Sequence, residues 1–327
     1  MKDYIGKITD DAKMSCSRLP ALMGKSNWST PNDELRKSIK AADGEKRSDF
    51  APSEQAHWGN VHEGAILNEM VARLGVWDAE LEITEPLRHP TVPLEGSLDG
   101  RADGNDLTFT TDIKSGIYVV GQDQITLHGP GVLEAKSTNA FAEERPADYR
   151  GPLQVQGLMA CGKYKWAAIG VLYQGSKLRI FLYEPDLAII KKIEDDVCDF
   201  QRRIDRYGET GELESYPVFS ENDAAETFAN LETEKTIDLD DITSNLVEDL
   251  AAAQQAKKSV TKLIGELQTS IMQAMGPHET AYVRNQDGAV QTQVTWGMSP
   301  GRKEYTVAAR PASRSKSLRL KEFSDAK

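Results

Sequence analysis

The chain has 327 residues, 39% hydrophobic and 28% charged, which is the make-up of a globular protein with one full core and a smaller second unit. It has no run of about 18 apolar residues, and the opening "MKDYIGKITDDAK" lacks the apolar centre of a signal peptide, so no membrane span is expected and the cytoplasm is the expected location. A formal net charge of −12 argues against a protein that simply coats nucleic acid, yet the charge is uneven: residues 221–250 hold ten acidic and one basic residue, residues 302–327 eight basic and three acidic, so a locally basic path stays open. Cys16, Cys161 and Cys198 lie too far apart for a CxxC metal site or a disulfide framework and are expected to be buried thiols.

The first clear helix lies within "DFAPSEQAHWGNVHEGAILNEMVARLG", with Ser53 as its cap and Gly75 as its stop. Leu67, Met70 and Leu74 follow Glu63 at helical spacing, so this glutamate falls on the apolar stripe, an unusual place for a charge. Trp58 is expected in the core. His57, His62, His89, His128 and His278 show neither HxH nor HxxxH spacing, which argues against zinc. Strand signals follow in "ELEITEPLRH", "LEGSLDGRADG" and "GVLEAK", with residues 104–130 read as an inserted hairpin or loop.

The strand "GVLEAKSTNAF" carries the informative pattern. Side chains alternate along a strand, so Val132, Glu134 and Lys136 share one face while Leu133 and Ala135 take the other. Two charges on a buried strand must be paired or hold an ion, because desolvating them costs several kcal/mol or more. "YRGPLQVQGLMACG" then reads as a helix from Pro152 to Gly162, and "KWAAIGVLY" and "KLRIFLYEP" as two strands around the turn "QGSK". A capped amphipathic helix, "DLAIIKKIEDDVCDFQRRIDRYG", closes a body of 1–215. Residues 216–327 form an extension: an acidic surface linker, a long helix packed as an antiparallel arm or helical hairpin, a β-hairpin turning at "QDG", and a basic tail. The fold class is α/β with a mixed sheet.

Glu63, Asp99 of "GSLDG", and Glu134 with Lys136 are ionisable groups in apolar surroundings. Converging carboxylates repel unless a cation sits among them, and oxygen ligands favour a hard ion such as Mg2+ or Mn2+. With a lysine beside it, such a site suits phosphodiester hydrolysis. An acidic residue followed by a strand bearing E-x-K resembles the PD-(D/E)xK nuclease pattern. The flanks "SCSRLPALMG", "HWGNVHE", "GSLDG", "GVLEAKSTNAF" and "LQVQGLMACGKYKWAAIGVLYQG" stand in the order found in the YqaJ-like viral recombinase family, to which lambda exonuclease belongs; the likeness covers about residues 12–207.

That resemblance implies a restriction-endonuclease-like core acting as a Mg2+-dependent DNA exonuclease of phage-type recombination in a bacterial host. It would digest one strand of duplex DNA ends 5′ to 3′ and leave single strand for an annealing protein, as a ring-shaped homotrimer. It assigns Asp99, Glu134 and the Ala135 carbonyl to the metal, Lys136 to the nucleophilic water, Glu63 to a second metal or water, and Gln154 to positioning that water. Ser15 and Ser17 would meet a DNA 5′-phosphate; the arginine some members carry just upstream is absent, with Lys7 or Lys13 in its place. Three other readings compete: Asp112 and Lys114 of "TTDIKSG" as the D-x-K pair, a structure-selective endonuclease on the same core, and a non-catalytic DNA-binding recombination factor.

Overall fold

The structure, a computed structural model, describes residues 9–45, 54–81, 83, 85–229 and 236–297. Ser53, Lys7 and the basic tail 302–327 lie outside the described residues. The chain divides into two compact units, the first ending at Thr227 and the second beginning at Phe228. Among the described residues no helix is long and apolar enough to cross a membrane.

In chain order the first unit contains β1 (Met14–Ser15), α1 (Leu19–Leu22), α2 (Pro31–Ala42), α3 (Glu54–Leu74), β2 (Trp77–Glu80), β3 (Leu87–Arg88), β4 (Leu94–Gly96) and β5 (Gly100–Asp103). There follow β6 (Thr108–Thr110), β7 (Ile117–Val119), β8 (Gln124–Thr126), β9 (Pro130–Thr138), α4 (Pro152–Gly162), β10 (Trp166–Tyr173), β11 (Lys177–Tyr183), α5 (Leu187–Thr210) and α6 (Glu221–Thr227). The principal sheet has six strands in the order β2-β5-β9-β10-β11-β7. β9 sits inside it, antiparallel to β5 and parallel to β10, with α4 as the crossover between the parallel pair.

The pleat divides the core. Val132 joins Ile169, Val171 and Phe181 on the face covered by α4 and α5, through Val155, Leu158, Ile193, Val197 and Phe200. Leu133 and Ala135 join Ala168, Ile180 and Leu182 beneath α3, which presents Ile66, Leu67, Met70 and Leu74. Each fully buried aliphatic side chain contributes roughly 1.5–3 kcal/mol of transfer free energy, enough to fix the alternation that sets Glu134 and Lys136 on the α4 face. Gly131 is required by close approach: a β-carbon there would overlap the Trp166 ring, whose Nε1 donates to the Gly129 carbonyl at 2.9 Å. α3 stops at Gly75, which takes a left-handed φ of 59°.

Several expectations are corrected. The segment after residue 215 belongs to the first unit: Asn32 exchanges hydrogen bonds with the Tyr216 backbone (2.7 and 3.0 Å) and donates to the buried Asp223 carboxylate at 3.0 Å. The acidic stretch is therefore partly packed, with Asp223 also accepting from the Phe219 amide. The insertion does form a hairpin, β6 with β8, and it also adds β7 as an edge strand parallel to β11. Trp58 is 49% exposed, because its α3 position precedes the stripe that meets the sheet. Cys198 is exposed, whereas Cys16 and Cys161 are buried.

Among its described residues the second unit contains one uninterrupted helix, α7 (Asp241–Met275), and a hairpin, β12 (Thr280–Arg284) with β13 (Val290–Thr295), with Gly288 at a φ of 84° in its turn. The helical hairpin reading fails because residues 241–275 contain no chain reversal; the lone Gly265 is absorbed in the helix.

Candidate active site

Asp99 and Glu134 meet because a strand pair ends between them. β5 pairs with β9 as far as Gly100 opposite Leu133, so the next residue back, Asp99, flanks Glu134 without taking part in the ladder. Its Oδ2 instead accepts from the Ala135 amide at 2.9 Å. The N–H and C=O of one strand residue lie on the same edge, so the Ala135 carbonyl also emerges where β5 has ended. Glu134 is fully buried; Oε1 pairs with the Lys136 ammonium, and Oε2 has no partner among the described residues. Ser137 turns back toward α3, and its hydroxyl lies 3.1 Å from His62 Nδ1.

The electrostatics report the crowding. Burial, then the Asp99 charge, push the Glu134 carboxyl up to about 8, with Lys136 only partly offsetting them. Burial and Asp99 likewise raise Glu63 to about 7, which brings this α3 residue within the field of Asp99 and Lys136. For Lys136, burial favours the neutral amine, but the Glu134 and Asp99 carboxylates outweigh it and lift the ammonium to about 12. Carboxyls raised this far retain protons near neutral pH unless a positive charge offsets the crowding.

The donor set fits a hard divalent ion: two adjoining carboxylates, one with an orphaned buried oxygen, beside a backbone carbonyl. Among the described residues no three His, Cys, Asp or Glu side chains form a metal cage by themselves, so the carbonyl and solvent would have to complete the coordination.

The other expected residues divide. Gln154 is buried on α4, the helix covering the Glu134 face, and makes no side-chain hydrogen bond to a described residue. Gln156 instead clamps the Glu184 carbonyl and Asp186 amide, each at 2.9 Å. Ser15 is buried and Ser17 exposed, with their hydroxyls 3.2 Å apart. Between them Cys16 backs onto the site: burial, the Cys161 thiol 3.9 Å away and the Glu134 charge all hold its thiol protonated. Arg18, next in the motif, is committed to structure, binding Glu34 and Ser38 side chains and the Asp11 and Lys13 carbonyls. Asp112 lies in an exposed turn, accepting from the Lys114 amide and the Ser115 hydroxyl, with no place beside Glu134.

Two features had no signal in the sequence. One is the Cys16 contact, which depends on long-range packing. The other is a polar network on the chain leaving β9, where Glu143 pairs with Arg150 and accepts from the Tyr173 hydroxyl at 3.2 Å; Trp28, largely exposed, meets Tyr149 edge-on at 4.8 Å beside it.

No family model matches the sequence, and no curated protein matches it. Among solved structures the chain is similar to the alkaline exonuclease LHK-Exo from Laribacter hongkongensis in complex with dAMP, at 18% identity over 62% of this chain and 92% of that one, with a TM-score of 0.47. It is also similar to a phage-related exonuclease from Haemophilus somnus, at 14% identity over 61% and 96% of the two chains, with a TM-score of 0.41.

Proposed function

We propose that the first unit is a metal-dependent deoxyribonuclease of the lambda-exonuclease kind, which digests one strand of linear duplex DNA 5′ to 3′ and leaves single strand for an annealing protein. The observation that carries this reading is the buried Glu134 carboxylate, one oxygen unpartnered and the other paired with Lys136, at the point where Asp99 leaves the sheet. Asp99, Glu134 and the Ala135 carbonyl would hold Mg2+ or Mn2+, which supplies Lewis acidity and a more acidic bound water.

The chain's own groups account for the remainder. Lys136, paired with Glu134, would orient the attacking water and balance the charge that develops on the phosphate. Glu63, at about 7, can exchange a proton near neutral pH. The uncommitted amide of Gln154 can position the water. Ser17 offers an exposed hydroxyl to a 5′-phosphate, with Ser15 holding it from below. A closed ring of three copies would keep an acidic protein on a polyanion, with basic residues lining the channel.

The test is digestion of end-labelled linear duplexes bearing 5′-phosphate or 5′-hydroxyl, beside covalently closed circles, with Mg2+ and with chelator. The expected result is metal-dependent release from 5′ ends, intact circles, and a particle mass that is a multiple of three chains. Cut circles would favour the endonuclease, and no release from any substrate would overturn the reading.

A further inference from the structure

The face of α7 reads as half of a symmetric joint. Ile242, Leu246, Leu250, Ala253, Val260, Ile264, Leu267 and Ile271 fall at steps that average about 3.6 residues, so one straight apolar stripe runs along the helix. The stripe is uncovered: Leu246 is 59% exposed and Ile264 50%. The described part of the second unit, one helix and a two-stranded hairpin, offers this stripe little core of its own, which leaves an apolar face open to a partner.

The charges beside the stripe identify the occupant. Asp249 and Lys257 are the only ionic residues within about 60° of its centre line, on opposite sides, and each lies four residues from Ala253. They stand eight residues apart on one helix, too far to pair with each other, and neither forms an ion pair with a described residue. We propose that α7 pairs antiparallel with α7 of a second copy of this chain, on a two-fold axis at Ala253. In that register Leu246 meets Val260 and Ile242 meets Ile264, while Asp249 of each copy faces Lys257 of the other. The overlap runs from Asp241 to Gly265, about 37 Å at 1.5 Å per residue, with alanine where the axes come closest. A parallel pair would set Asp249 against Asp249 and Lys257 against Lys257, so charge selects the antiparallel form. The pairing is separate from any ring formed by the first unit; it would join subunits of different rings.

The full-length chain carrying Cys198→Ser with Ala253→Cys, treated with a short bismaleimide, should give a covalent dimer at least tenfold more abundant than Cys198→Ser with Gln255→Cys, whose new thiol lies on the opposite face. Leu246→Lys with Ile264→Lys should halve the light-scattering mass, whatever other contacts the first unit makes. Asp249→Lys should weaken the dimer about tenfold at low salt, and Lys257→Asp added to it should restore the pairing. Equal cross-linking at 253 and 255, or an unchanged mass in the double-lysine variant with its helicity intact, would overturn the proposal and assign the stripe to another occupant, such as the basic tail or an annealing protein.

Discussion

If Glu134 must be ionised to hold a metal, binding has to expel protons, and the number follows from the site. At pH 7 a carboxyl at about 8 is about 0.9 protonated and one at about 7 about 0.5, so Mg2+ binding should release about 0.9 proton from Glu134 and up to about 1.4 if Glu63 also ionises. At pH 9 the release should fall to about 0.1. Expelling that proton at pH 7 opposes binding, so affinity for Mg2+ should rise about tenfold toward pH 9. Calorimetric titration in buffers of different ionisation enthalpy counts the protons directly. Glu63→Gln should lower the count at pH 7 by about 0.5. Measurable Mg2+ binding at pH 7 with no proton release would refute the argument, since it would mean that Glu134 is already ionised or is not a ligand.

Further outcomes are expected. Without metal the folded chain keeps a proton on Glu134 that the unfolded chain gives up near the ordinary glutamate value; stability should therefore fall by about 1.4 kcal/mol per pH unit between about 4.5 and 8, and chelated denaturant melts should show this slope flattened in Glu134→Gln. Asp99→Ala and Glu134→Ala should abolish nuclease turnover while leaving DNA binding nearly intact, Lys136→Ala should lose about two orders of magnitude or more, and Asp112→Ala should change little in single-turnover assays. Gly131→Ala should destabilise the first unit by about 1–3 kcal/mol in urea melts, because its β-carbon would displace Trp166 inside the sheet.

What could be read in advance was local. Strand alternation placed Glu134 and Lys136 opposite Leu133 and Ala135, and helical spacing placed Leu67, Met70 and Leu74 against the sheet, because buried apolar residues impose those periods. α2 went unread although Thr30 and Asp33 form a reciprocal capping box with Pro31 between them, a pattern present in the sequence. β1 is a two-residue strand whose existence depends on β4 eighty residues later, and β7 depends on β11 in the same way; neither has a signal of its own. For the site, the strand bearing Glu134 and Lys136 was legible, whereas the closeness of Glu63 and Cys16 to it depends on how α3 and the start motif pack.

The junction of β5 and β9 separates site geometry from chain length. Asp99 and Glu134 are juxtaposed by the ladder alone, so the connection between them, which here holds β6, β7 and β8, can change in length without moving either carboxylate. Tripling a flexible connection costs only about 1 kcal/mol of closure entropy. The count of residues between the aspartate and the E-x-K strand is therefore free to drift, and relatives with very different counts can share one site. A search that fixes this interval would pass over such chains; one that asks whether the aspartate directly precedes the strand pairing with E-x-K would keep them.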